Sequence, residues 1–239
     1  MTIRIGTAGW SIAAALRGRF AAEGTALERY AGVFDAVEIN SSFHRPHRPE
    51  TWQRWAASVP DGFRFSVKLP KEITHVRKLV DCAEPLDRFA EEVAGLSDRL
   101  AVLLVQLPPK LAFDAAVARG FFEALRARTS AGLACEPRHA EWFGEEADAL
   151  LVESGVARVA ADPPVGSQAA ARPGGARTLS YWRLHGSPVV YRSSYADRIG
   201  NYATLLRADG APQVWCMFDN TASSAATADA LALSDLLQR

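Results

Sequence analysis

The chain has 239 residues, is 49% hydrophobic and 23% charged, and carries 27 basic against 27 acidic residues. That balance gives no global electrostatic footprint for nucleic acid or an anionic membrane, and no apolar run reaches the ~18 residues of a membrane span. Cys82, Cys135 and Cys216 are odd in number and widely spaced, which excludes a disulfide scaffold or a Cys-x-x-Cys zinc site and points to reduced thiols. With no signal-like leader before Ile3, the expected location is the cytoplasm.

Eight strands are predicted: Ile3–Ala8, Ala36–Asn40, Phe63–Leu69, Leu100–Leu107, Gly132–Glu136, Val156–Asp162, Leu179–His185 and Val214–Phe218. Helical spacing falls between most of them. Trp52, Trp55, Ala56 and Val59 recur behind Pro49, a residue suited to a first helical turn. Leu86, Phe89, Val93, Leu96 and Leu100 follow Pro85, and Val117, Phe121 and Leu125 follow Asp114, a candidate N-cap. Ala226, Ala230, Leu233 and Leu237 form the last stripe. Such alternation predicts an α/β fold, a single (β/α)8 TIM-type barrel over residues 1–239. Pro163–Ala176 is rich in Pro, Gly and Ala, so the helix between the sixth and seventh strands is expected to be irregular or missing. Ser187–Arg198, rich in Ser, Tyr and Arg, is expected to be a substrate-facing loop.

Polar residues gather at the C-terminal ends of these strands on one parity. Side chains at i and i+2 share a face, so Glu38 with Asn40, Ser66 with Lys68, Glu136 with Arg138, and Arg183 with His185 point together; Gln106, Asp162 and Asp219 end other strands. In an α/β barrel that is the active-site face. Glu136 is read as the principal acid or base, with Glu38 or His185 as its catalytic partner. Lys68, Arg138 and Arg183 are read as oxyanion-binding, Asn40 and Gln106 as hydroxyl-orienting, and Lys68 as electrostatic in preference to a covalent amine. His139 is read as a candidate proton-exchanging ring at the substrate site, and Trp142 as a flat wall for a sugar or base. Gly186, Ser187, Asn220 and Ser223 lie where barrels bind phosphate after the last two strands. His75, beyond the third strand, reads as a cap. Cys135, on the opposite parity from Glu136, reads as core.

No cofactor is predicted. Gly6-Thr7-Ala8-Gly9 lacks the dinucleotide fingerprint. Glu38, Glu136, Asp162, Asp219, His139 and His185 have the chemistry of a divalent-metal site, yet no spacing enforces one, so a metal is a secondary expectation.

These residues resemble a known family, the YecE-like group, number seventy-two in the domain-of-unknown-function series, also labelled sugar-isomerase-related. The resemblance is carried by Gly6-Thr7-Ala8-Gly9-Trp10, Val37 to Phe43, Lys68-Leu69-Pro70 through Ile73-Thr74-His75, and Gln106-Leu107-Pro108-Pro109. It continues in Glu136-Pro137-Arg138-His139 with Trp142, Arg183-Leu184-His185-Gly186 and Phe218-Asp219-Asn220. It implies a TIM-type barrel and brings no demonstrated reaction. Departures are His44 for the family's usual Tyr, Ser187 for a common Arg, and Asp219 for a frequent Asn.

The leading expectation is an enzyme, isomerase-like or hydrolytic, acting by acid/base chemistry on a small polar substrate, sugar-like or phosphorylated. A phosphodiester-processing barrel that uses Arg45, His47, Arg48, Lys71, Arg77 and Lys78 is the alternative, with nucleic acid not the favoured partner. A non-catalytic ligand-binding barrel is the third reading.

Overall fold

The computed structural model describes residues 1–238. Strands and helices alternate as β1 (Thr2–Thr7), α1 (Ala26–Ala31), β2 (Ala36–Ile39), α2 (Pro49–Ala57), β3 (Arg64–Lys68), α3 (Ala83–Val93), β4 (Leu100–Gln106), α4 (Ala115–Arg126) and β5 (Gly132–Glu136). They continue with α5 (Glu145–Glu153), β6 (Val156–Arg158), β7 (Ala160–Asp162), β8 (Gly174–Gly175), β9 (Leu179–Leu184), α6 (Ile199–Arg207), β10 (Gln213–Phe218) and α7 (Ala225–Leu237).

The helix signals act as expected at their starts. Pro49 opens α2, and the Asp114 carboxylate accepts the Val117 amide at 3.0 Å, capping α4. One stripe is shorter than its periodicity implied. Leu86, Phe89 and Val93 share the buried face of α3, but the chain then tightens into a 3-10 segment, Ala94–Arg99, broken where Ser97 takes φ 50°. Leu100 therefore opens a strand. Helix α1 was missed because six residues are too short for a periodic pattern; its mark is the Thr25/Glu28 capping box.

The strands form two parallel runs, β2-β3-β4-β5-β6 and β1-β10-β9-β7, with short β8 antiparallel to β6. β6 and β7 are one strand interrupted at Val159: the first half pairs with β5 and the second with β9. At the other seam Ala8 bridges to Glu38, and the Gly9 amide donates to the Glu38 carbonyl at 2.8 Å. The arrangement is α/β and barrel-like. Gly6 permits the approach there, since a Cβ would sit 2.2 Å from the Ala36 carbonyl oxygen. Between β7 and β9 the chain has one 3-10 turn, Gln168–Ala171, and β8, without an α-helix.

Alternation separates two apolar layers. Val37, Ile39, Phe65, Val67, Leu103, Val105, Leu133, Cys135, Leu184 and Phe218 pack under the helices in the larger core. Residues of the opposite parity, Ala36, Val102, Leu104, Ala134, Ala157, Tyr181, Trp215 and Met217, form a second cluster enclosed by the strands. Above that apolar plug, toward the strand C-termini, the same parity becomes polar.

Candidate active site

Arg183 is the centre of the polar layer. It is fully buried, and its guanidinium reaches three carboxylates from three other strands. Nε and Nη2 donate to Glu38 at 3.0 and 2.7 Å, a bidentate pair; Nη1 donates to Glu136 at 2.6 Å and Nη2 to Asp219 at 3.0 Å. Tyr181, two residues earlier on β9, donates to Glu38 at 2.9 Å and shares a 2.7 Å hydrogen bond with Ser66.

His185 lies between two carboxylates, Nε2 3.0 Å from Glu136 and Nδ1 3.0 Å from Asp219. Burial opposes its charge, but the nearby Glu136 charge and the hydrogen bonds the ring donates to both carboxylates outweigh this and raise its pKa above the ordinary histidine value. Both nitrogens face acceptors, as an imidazolium requires.

Glu136 is saturated. One oxygen accepts from Arg138 at 3.0 and 3.2 Å and from His185; the other accepts from Arg183 and, at 3.1 Å, from Gln106. Burial alone would favour its neutral form, but Arg183, His185 and Arg138 hold the carboxyl well below its usual range. A carboxylate held this way is a poor proton acceptor at neutral pH. Asp219 is likewise lowered against burial by Arg183 and His185.

With His185 protonated, Glu38, Glu136 and Asp219 are balanced by Arg183, Arg138 and His185. Lys68 is then a surplus cation. Only 9% of its surface is exposed, and among the described residues its amine has no hydrogen-bond or ion-pair partner. It lies 4.0 Å above the Phe43 ring. Burial and Arg183, opposed by the carboxylates, push its pKa down to about 8. Nearby on β2's continuation, the buried amide oxygen of Asn40 also has no partner.

The structure thus brings Glu38, Lys68, Gln106, Glu136, Arg138, Arg183 and His185 to one face, with Asn40 at the end of β2. Four other predicted residues are elsewhere. Trp142 is 1% exposed, edge-on to Phe113, and its indole N–H donates to the Leu111 carbonyl at 3.0 Å; it is core, not a ligand wall. Asn220 donates to the Ser193 carbonyl and the buried Asp229 carboxylate, tying the loop after β9 to α7. His139 Nδ1 accepts the Glu141 amide, capping a 3-10 turn. Asp162, on the outward parity, pairs with Arg198 and Tyr202. Tyr191 meets His185 edge-on at 6.0 Å, whereas Tyr195 is buried and anchors the loop through Gly186 and the Asp162 carbonyl.

Sequence reasoning missed Tyr181 and Phe43. Tyr181 shares parity with Arg183, a signal that was available, but aromatics on strands usually read as core. Among the described residues no group of three or more His, Cys, Asp and Glu side chains is arranged to hold a metal ion; a guanidinium stands between these carboxylates. No helix among the described residues is long and apolar enough to cross a membrane.

The family model "Protein of unknown function DUF72" matches residues 4–239, and the chain belongs to that family. The UPF0759 protein YecE of Escherichia coli (strain K12) is 33% identical over 144 residues, which cover 58% of this chain and 52% of YecE. The chain thus spans about half the length of the curated relatives it matches. A DUF72 family protein of Enterococcus faecalis V583 has a similar fold, with TM-score 0.83 and 21% identity over 100% of this chain and 96% of the other. Another, from Thermotoga maritima MSB8, gives TM-score 0.77 and 21% identity, covering 100% of both chains. At such identities the likeness is one of fold alone.

Proposed function

We propose that the eight strands close into one (β/α)8 barrel of TIM type, and that its C-terminal mouth is the active site of an enzyme acting on a small, polar, anionic substrate by proton transfer. The bridge between Ala8 and Glu38 supports closure at one seam, and the pairing of β6 and β7 with different neighbours supports it at the other. The three thiols are buried and unbridged, in keeping with a reducing, cytoplasmic setting.

The observation that carries the functional reading is Lys68, a surplus buried cation in a layer whose other charges are matched. A phosphate or carboxylate completes that balance, while the unpartnered Asn40 oxygen accepts from a substrate hydroxyl. Glu136 is held ionised and, with Glu38, positions Arg183 and His185; proton exchange then falls to Lys68, whose pKa is pushed down to about 8. No cofactor is invoked.

A nucleic-acid ligand has weaker support. Of the rim residues, Arg77 is engaged by Glu72 and the Asp81 carbonyl, and the His47 ring is hydrogen-bonded to Ser41 while burial lowers its pKa. Calorimetric titration with glycerol phosphate against glycerol tests the proposal. Native protein is expected to bind the anion alone, and Lys68→Met to weaken it at least tenfold. Equal binding by the variant would remove Lys68 from the site, and binding without turnover of any polyol phosphate would favour a non-catalytic receptor.

A further inference from the structure

We propose that Lys68 is a nucleophilic amine, that the site takes a small aldehyde or ketone as an imine on Lys68 Nζ, and that His75 carries the protons. This rests on the small-anion reading above and narrows its substrate to a carbonyl compound. The sequence alone favoured an electrostatic lysine, since nothing in it signalled a desolvated amine. The structure supplies three features that change the balance.

The first is the missing counter-ion. A lysine near three carboxylates is ordinarily held as an ammonium by one of them. Here every nearby carboxylate is engaged by another donor. Glu38 is bound by Arg183 and Tyr181, Glu136 by Arg138, His185, Arg183 and Gln106, and Asp219 by Arg183 and His185. Lys68 remains nine-tenths buried beside a fixed guanidinium, the two conditions that release a free amine. At a pKa of about 8, on the order of several hundred times more free amine exists at pH 7 than in an ordinary exposed lysine.

The second feature is a proton carrier at the same aromatic ring. His75 lies on a single π-helical turn, Glu72–Val76. Its ring stands edge-on to Phe43 with centroids 4.9 Å apart, while Lys68 Nζ is 4.0 Å from the Phe43 centroid. The Thr74 hydroxyl is 2.8 Å from His75 Nδ1 and orients the imidazole, and among the described residues Nε2 has no partner. Burial, then Lys68, Arg138 and Lys71, lower its pKa, so the ring is neutral at neutral pH.

The third is space. Phe43 also walls a neighbouring cleft of about 330 Å³ with His44, Pro70, Lys71, Ile73 and Phe89, within the range of small-ligand sites. Lys68 and His75 do not line it themselves, and Phe43 is the side chain that the cleft shares with them. Exposed Lys71 on its rim suits an anionic tail on the carbonyl compound.

The chemistry balances without oxidant or reductant. The lone pair of neutral Lys68 attacks the carbonyl carbon, and the carbonyl π pair moves to oxygen, which takes a proton. That proton comes from the nitrogen by way of His75. The carbinolamine hydroxyl then takes a second proton from solvent and leaves as water while the nitrogen lone pair forms the C=N bond, and the resulting iminium returns its remaining proton to solvent. Amine plus carbonyl becomes imine plus water.

The chain has only four lysines, Lys68, Lys71, Lys78 and Lys110, and the last three are exposed. They serve as internal standards. Native protein is incubated with dihydroxyacetone phosphate and cyanoborohydride, and peptide mass spectrometry follows reductive alkylation at each lysine. Lys68 is expected to react at least tenfold faster than the other three, with a rate that rises with pH around 8. Lys68→Met should lose that adduct, and His75→Gln should slow it several-fold while leaving Lys71 unchanged. A Lys68 rate no greater than that of Lys71 overturns the proposal, as does an unaltered rate in His75→Gln for the role of His75. Should Lys68→Met fail to fold, the internal comparison in native protein still decides. Glycerol phosphate binding without any Lys68 adduct would sink the imine and keep the small-anion reading; absence of both would sink the two together.

Discussion

Replacing Arg183 by Met removes the one cation that Glu38, Glu136 and Asp219 share, without adding volume. Four charge-assisted hydrogen bonds of 2.6–3.0 Å are lost, and the carboxylates stay buried behind them. Breaking one buried ion pair from one side costs about 3–5 kcal/mol. Losing the shared cation from three carboxylates would cost more if all stayed ionised, but Glu136 keeps Arg138 and His185, and Asp219 keeps His185. Taking up a proton limits the penalty further, so about 4 kcal/mol is expected at pH 8. For a chain of this size that lowers the melting temperature by roughly 8–16 °C. The pH dependence identifies the cause. In native protein Glu136 and Asp219 are held below their usual values. Their contribution is therefore present above pH ~4 and lost as pH falls through the folded values. In the variant, burial acts without Arg183 and raises them. A group so raised favours the folded state at low pH and loses that contribution as pH rises. The stability gap between the two proteins should accordingly narrow from pH 8 to pH 5, measured by urea unfolding followed through tryptophan fluorescence. A gap below ~1 kcal/mol at pH 8, or one equal at both pH values, would refute the view that Arg183 neutralises this layer.

His185 gives the opposite slope. Its folded pKa is raised, so its contribution is full below ~6.5 and lost as pH rises through the folded value; His185→Gln should flatten the alkaline loss of stability, and an unchanged profile would place the titration elsewhere. Tyr181→Phe deletes the hydroxyl shared by Glu38 and Ser66 and should cost roughly 1–3 kcal/mol in chemical denaturation. Gly6→Ala puts a methyl 2.2 Å from the Ala36 carbonyl oxygen and should destabilise by about 1–3 kcal/mol through a forced backbone shift; a neutral result would mean β1 and β2 are not tightly apposed. Trp142→Phe should cost about 1 kcal/mol for the lost bond to Leu111, yet leave glycerol phosphate affinity within twofold. A larger loss of affinity would return Trp142 to the mouth.

Local pattern carried much of the fold and part of the site. Strand alternation repeats every two residues, so the common facing of Arg183 with His185 is a property of a few consecutive residues and legible without a structure. The same holds for the Asp114 cap and for Cys135 turning toward the helices. Local pattern was ambiguous just past a strand end, where one short polar run serves rim, cap or core. Trp142 and His139 follow Glu136 at once, yet a 3-10 turn carries them into the core and a cap.

What only tertiary structure decided is who meets whom. The sequence by itself indicated which side chains share a face at the top of most strands, because that depends on local backbone geometry. It nonetheless grouped Asp162 with the inward set, although that residue turns outward to Arg198 and Tyr202. It could not determine that Arg183 meets Glu38, 145 residues away, or that Glu136, Arg138 and His185 complete one another's hydrogen bonds. Those matches follow from the order and stagger of the strands around the sheet, a many-body packing result. Lys68 is the consequence: its unpaired state is a property of the whole charge layer, fixed when every carboxylate around it had already found another partner.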